Sequence, residues 1–300
     1  MTVRSIALGT GIVALAAVAC HKVPYTGRTQ YNLVPESIMM GVGKQAYTST
    51  LADSKVEKTG PDRDTLVAVG NKISTVAKKP DYAWRYSLID DETINAWCMP
   101  GGYIAFYTGI LPVLQNESAM AFVMGHEVGH AIAHHGAERM TQQLTLIGGL
   151  AGLEIYMANA TELKPKDRAL ILGAVGLGAE VGVLLPFSRT HESEADVIGL
   201  MYMAEAGYPP QESIALWDRM DAASPSSVPV FLSTHPSPDN RKANLRDWMP
   251  QADKKYARNK LSKDVTKTLW AGGPTVGSSG GGGAKQQPKN DSGTSTGGHP

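Results

Sequence analysis

His126-Glu127-Val128-Gly129-His130 is the stretch from which the rest of this chain is read. Two imidazoles four positions apart share one face of a helix, so both can reach one divalent ion while the intervening Glu127 faces water beside it. The flanking residues supply that helix. Asn116 is a good cap, Glu117 complements the dipole in the first turn, and apolar positions recur through Ala121, Val128 and Ile132. A catalytic zinc ion takes three protein ligands and keeps one place open for water, so a third ligand must lie elsewhere. The elongated pattern with a third histidine six residues after the second is excluded, because Gly136 stands there and Ala133 replaces its glycine. His134 and His135 fall outside that spacing. With only Cys20 and Cys98 in the chain, a cysteine-ligated site and a disulfide scaffold are excluded too.

The better source is Glu192-Ser193-Glu194-Ala195-Asp196, within a second amphipathic pattern from His191 to Ala206 that Gly207-Tyr208-Pro209-Pro210 stops. Glu192 and Asp196 share a helical face. One can ligate while the other, a turn later, orients a ligating imidazole. Glu194 points away from them and reads as solvated or salt-bridged. Without the upstream histidines, the same segment would be an ordinary acidic helix face.

Around these motifs the patterning predicts a mainly helical α+β fold with a small antiparallel sheet. Helices are expected at Glu36 to Ala52, Asp62 to Lys79 and Gln211 to Ala222. Trp84 to Ile89 alternates as a strand, and Asn95 to Met99 and Tyr103 to Thr108 form a hairpin about Pro100-Gly101-Gly102. Leu144 to Ala158 and Ala169 to Phe187 are Gly-rich apolar runs interrupted by Glu154 and Glu180. They read as buried or membrane-facing helices, core helices being the simpler case because each run falls short of a clean span.

Taken together, Asn95-Ala96, Pro100-Gly101-Gly102, the H-E-x-x-H helix continuing to His134, Ser188-Arg189 ahead of Glu192-x-x-Ala195-Asp196, and His235-Pro236 with Arg241 resemble the gluzincin peptidase family. That family includes HtpX, the CAAX prenyl endopeptidases and periplasmic lipoproteins such as LoiP and BepA. The likeness covers most of residues 30 to 250, with the compact LoiP-like lipoproteins as the nearest match. It implies a zincin-type metallopeptidase holding one Zn2+ per chain on His126, His130 and Glu192, with Asp196 behind the ligands and Glu127 as base. His235 and Arg241 take late positions near the substrate carbonyl or the metal, where His235 either caps the ion or assists catalysis. Asn95 takes the position that binds substrate backbone from an edge strand.

The chain ends add an address. Arg4 followed by the apolar run Ile6 to Ala19, then Ala17-Val18-Ala19-Cys20, resembles a bacterial lipoprotein signal, so residues 1–19 are read as a signal peptide and Cys20 as the lipidation site. Residues 20–35 then form a polar tether, 36–271 the peptidase domain, and 272–300 a Gly/Ser-rich disordered tail. Lys plus Arg and Asp plus Glu number 28 each, and there is no Gly-rich phosphate loop, so neither nucleic acid nor nucleotide is an expected partner. The expectation is an outer-membrane lipoprotein facing the periplasm that cleaves unfolded or misassembled envelope proteins. Its rival is a zinc-stabilised chaperone or assembly factor whose site is latent under His235.

Overall fold

The computed structural model describes residues 20–160, 164–179, 185–223, 230–235 and 240–270. The expected signal peptide and the expected tail lie outside the described residues. Two strands, β1 (Cys20–Lys22) and β2 (Thr29–Tyr31), are followed by helix α1 (Glu36–Ala52), strand β3 (Val56–Glu57) and helix α2 (Pro61–Ala77). Strands β4 (Arg85–Ile89), β5 (Ala96–Met99) and β6 (Tyr103–Tyr107) come next, then a short helix α3 (Leu111–Leu114) and the motif helix α4 (Glu117–Ile132). The remainder is helical: α5 (His135–Ala160), α6 (Pro165–Ala179), α7 (Leu185–Glu205), α8 (Glu212–Ala222), α9 (Val230–Thr234) and α10 (Arg241–Asn259).

The fold is thus mostly helical with small sheets, as patterning and resemblance imply, but the main sheet is mixed. Its order is β3-β4-β6-β5, with β5 antiparallel to β6 as a hairpin and β4 parallel to β6, Arg85 facing Tyr103. Local patterning marks the strand segments, although three successive residues are buried in β4 (Ser87 to Ile89) and in β6 (Ile104 to Phe106). Such patterning does not fix the neighbour, and β6 inserts between β4 and β5. The hairpin turn needs positive φ at Gly101 (95°) and Gly102 (84°), which glycine adopts without penalty.

Helix α4 runs through the centre, with all but three of its residues buried among α2, β5 and α7. Its N-terminus is closed by Asn116, whose side-chain oxygen accepts the Ala119 amide at 2.9 Å. Helix α7 crosses it at glycines. A Cβ on Gly199 would lie 2.8 Å from the His126 nitrogen, and one on Gly125 would lie 3.0 Å from the Gly199 Cα. These bare backbones let two helices that carry opposite halves of the site come into direct contact.

Two expectations are corrected. The segment from residue 20 to 35 is not a loose tether: β1 and β2 pair as a hairpin docked on the helices. Gln30 donates to the Ala133 carbonyl at 2.6 Å, and the Leu33 amide donates to Thr141 Oγ1 at 2.9 Å. Its polar composition reads as solvated only because the partners lie more than a hundred residues away in sequence. Nor do the described residues of the Gly-rich runs form core elements; residues 180–184 of the second run lie outside the described residues. The second half of α5 and much of α6 pair with each other and expose Ile147, Ile155, Tyr156 and Leu170. No helix among the described residues is long and apolar enough to cross a membrane.

Candidate metal centre

Helix α4 presents His126, Glu127 and His130, α7 presents Glu192 and Asp196, and the residue after α9 presents His235. His126 Nε2 and His130 Nε2 lie 3.1 Å apart. Glu192 closes the set, Oε2 at 3.3 Å from His126 Nε2 and Oε1 at 3.4 Å from His130 Nε2. His235 Nδ1 is 3.3 Å from His126 Nε2 and 3.2 Å from Glu192 Oε2. One donor atom from each of the four side chains lies within 4.8 Å of the others.

These residues fit a divalent ion. Donors held at about 2.0–2.1 Å around a tetrahedral ion stand roughly 3.3 Å apart, the spacing found here. Glu192 Oε1 and Glu127 Oε1 are buried without a hydrogen-bond partner, which is costly unless a charged or water ligand satisfies them. The set of two imidazoles, one carboxylate and a further imidazole is nitrogen and oxygen chemistry with no thiolate.

The supports are built from charge. His126 Nδ1 faces Asp196 Oδ1 at 2.9 Å, which turns Nε2 toward the other ligands. Arg241, buried at the start of α10, donates through Nε to Asp196 and through Nη2 to Glu192 Oε2 at 3.2 Å, while its guanidinium lies 3.8 Å over the Trp217 ring. Burial disfavours charge on His126, yet Asp196 and Glu192 push its pKa up to about 9. Burial likewise opposes ionisation of Glu192, and the three neighbouring histidines outweigh it and hold the carboxyl well below the usual range. Glu127 moves the other way: burial raises it, and Glu192 adds to the rise against the pull of His235 and His126. His235 is held by stacking on the buried Phe231 ring (centroids 4.7 Å, planes 28° apart) and approaches Glu127 Oε1 to 3.4 Å.

A cleft of about 420 Å³ opens beside Glu127, His130 and His235, walled by Met39 and Val42 of α1 and by Trp97 of β5. The sheet order leaves β5 as an edge strand along this wall. Burial pushes the Cys98 thiol in the same strand well above its usual range.

The chain matches the model of peptidase family M48 over residues 62–249. It belongs to that family. It is 33% identical over 240 residues to the mitochondrial metalloendopeptidase OMA1 of Schizosaccharomyces pombe, covering 78% of this chain and 67% of that protein. Against the protein of the same name from Saccharomyces cerevisiae the figures are 30% over 261 residues, 80% and 72%. The beta-barrel assembly-enhancing protease of Escherichia coli is 28% identical over 187 residues, 60% of this chain and 37% of that one. This M48 chain is therefore a metal-dependent metalloendopeptidase, and the expected special likeness to LoiP gives way to a likeness shared between OMA1 and assembly-enhancing proteases.

Of the residues named from sequence, His126, Glu127, His130, Glu192, Asp196, His235 and Arg241 come together in the M48 site. Asn95 sits at the entrance of β5, its side-chain oxygen accepting the Ala96 amide at 3.0 Å and its carbonyl accepting the Tyr107 amide at 3.1 Å. Cys20 lies exposed at the start of β1. Missed were His135, Glu138, His191 and Arg28, and Glu194 is salt-bridged but not solvated, being 4% exposed. A signal existed: imidazole and carboxylate at His135 and Glu138 open a helix otherwise rich in small and apolar residues.

Proposed function

We propose that this M48 peptidase is a zinc endopeptidase of the bacterial envelope, anchored by lipid on Cys20, that cleaves unfolded or misassembled envelope proteins. The observation that carries the catalytic part is Glu192 standing 3.3–3.4 Å from both motif histidines while Glu127 Oε1 lies buried beside them with no hydrogen bond among the described residues.

His126, His130 and Glu192 would hold the ion, which when bound supplies a Lewis acid for the scissile carbonyl and acidifies a water. Glu127, its carboxyl raised by burial, would take a proton from the water as the water oxygen bonds to the peptide carbon, and would return it to the amine nitrogen as the C–N bond breaks. His235, which lines the cleft beside Glu127, would offer a ring nitrogen where the carbonyl oxygen gains charge, while Arg241 holds Glu192 and Asp196 from behind. An extended peptide would lie along the edge of β5, near Asn95, with an apolar side chain against Met39, Val42 and Trp97. Such binding favours loose chains over folded domains.

The address rests on the lipoprotein-like pattern ending at Cys20 and on the role named for the Escherichia coli relative; the OMA1 relatives carry a mitochondrial one. A second reading, a latent site with a chaperone-like role, is favoured by the contacts of His235 with His126, Glu192 and Glu127. Casein hydrolysis by purified protein with and without chelator separates the two. Loss of cleavage on chelation supports the peptidase, while suppression of client aggregation that survives Glu127→Gln without any cleavage supports the other. Metabolic labelling with a fatty acid, lost in Cys20→Ala, tests the anchor.

A further inference from the structure

His126 is backed by a carboxylate that an arginine neutralises, through Asp196 and Arg241. Among the described residues, no carboxylate meets His130 Nδ1. It faces another imidazole there, His135 Nδ1 at 3.0 Å. That ring is buried, and its Nε2 lies 3.1 Å from Glu194 Oε2. Glu194 in turn takes Arg28 Nε at 2.7 Å and Nη2 at 2.9 Å, and the same guanidinium forms two 2.7 Å bonds to Glu138. His191 completes the cluster, its ring stacked 4.3 Å from that of His135 and its Nε2 2.9 Å from Glu138 Oε2.

We propose that His135 and Glu194, braced by Arg28 of the β1–β2 hairpin, are positioning residues for the ligand His130. This rests on the metal-site reading above. The roles fix the tautomers. With His130 Nε2 turned to the ion, its Nδ1 carries the hydrogen and donates to His135 Nδ1. His135 must then carry its own hydrogen on Nε2, where the Glu194 carboxylate accepts it. Arg28 fixes the orientation of that carboxylate by dividing its fork between Glu194 and Glu138.

Local backbone supports the arrangement. Helix α4 ends at Ile132, and His134 adopts φ of 55°, a left-handed conformation unusual for a residue with a side chain. That break lets the His135 ring return to His130, five positions earlier, instead of continuing around the helix.

A consequence concerns the N-terminal segment. Arg28 lies eight residues after Cys20, on a hairpin of three-residue strands that forms an integral part of the metal site's support. The link from this hairpin to a ligand runs through three side chains: Arg28, Glu194 and His135.

The test uses the full chain loaded with zinc or cobalt. His135→Phe should weaken zinc retention against a chelating dye by about 10–100-fold and shift the visible bands of the cobalt form. His135→Gln, whose amide can accept from His130 and donate to Glu194, should recover most of both. A His135→Phe protein with native circular dichroism, wild-type zinc affinity and an unchanged cobalt spectrum would overturn the proposal. Should that variant not fold, long-range proton–nitrogen spectra of the zinc-loaded wild type decide: the Nε2–H tautomer at His135 is expected, and the Nδ1–H tautomer overturns the relay. Wild-type protein that takes up no zinc would overturn the metal-site reading and this inference with it, whereas zinc uptake indifferent to His135 overturns the inference alone.

Discussion

Gly199 and His126 meet at the crossing of α7 and α4, where a Cβ on the glycine would come within 2.8 Å of the histidine's backbone nitrogen. The obstacle would be main chain, which cannot swing aside as a flexible side chain does. Gly199→Ala should therefore separate the two helices and cost about 1–3 kcal/mol of stability. Glu192 rides on the same helix, so metal affinity should fall in parallel. Urea unfolding and metal titration of the one variant check both, and an intact affinity in a destabilised protein would show that the ligands do not depend on this contact.

Glu127→Gln keeps the shape of the side chain and removes its basicity. The expected protein is folded, holds a full complement of zinc and loses casein cleavage by about 10²–10⁴-fold. Metal content measured beside turnover is the check. Glu192→Ala should behave differently, losing the metal and the activity together.

Asp196→Asn removes the charge behind His126 and leaves Arg241 with one carboxylate in place of two. Zinc affinity should drop by about 10–100-fold at constant fold. Arg241→Met should be worse for the fold, since the buried Asp196 and Glu192 carboxylates lose their shared cation, at about 3–5 kcal/mol. Equal thermal stability of Arg241→Met and the wild type would contradict this account.

Glu138, which does not itself join the ligand set, gives a pH signature. Burial opposes its charge, but hydrogen bonds from Arg28 and His191 prevail and hold its pKa near 2, against an ordinary 4.5. A depressed folded-state value means that the unfolded chain binds the proton first as pH falls. The stabilisation is full above about 4.5 and is lost as pH drops through about 2. Glu138→Gln should thus be less stable than wild type at neutral pH, with the gap closing between pH 4.5 and 2 in denaturant unfolding. A gap independent of pH in that range would remove Glu138 as its source.

How much of this was legible beforehand follows from the range of each interaction. His126 and His130 are related by one helical turn, and so are Glu192 and Asp196, so local spacing alone shows each pair facing one way. Helix ends were legible for the same reason: Asn116 caps α4 from its own side chain, and Gly207 follows the end of α7. The edge hairpin about Gly101 and Gly102 was legible from its turn residues. His235 and Arg241 entered through family likeness, since nothing local to a histidine after a short helix points to a metal.

The sequence by itself determined that His126 and His130 share one helical face, and Glu192 and Asp196 another, because i and i+4 positions on a helix are neighbours in any fold. Only the tertiary structure decided that the two helices cross at Gly125 and Gly199, that β6 lies between β4 and β5, and that Arg28 reaches Glu194 and Glu138 across 166 and 110 positions. Those contacts depend on which surfaces bury each other. A polar stretch such as residues 20–35 looks solvated until a buried partner of opposite charge is placed against it.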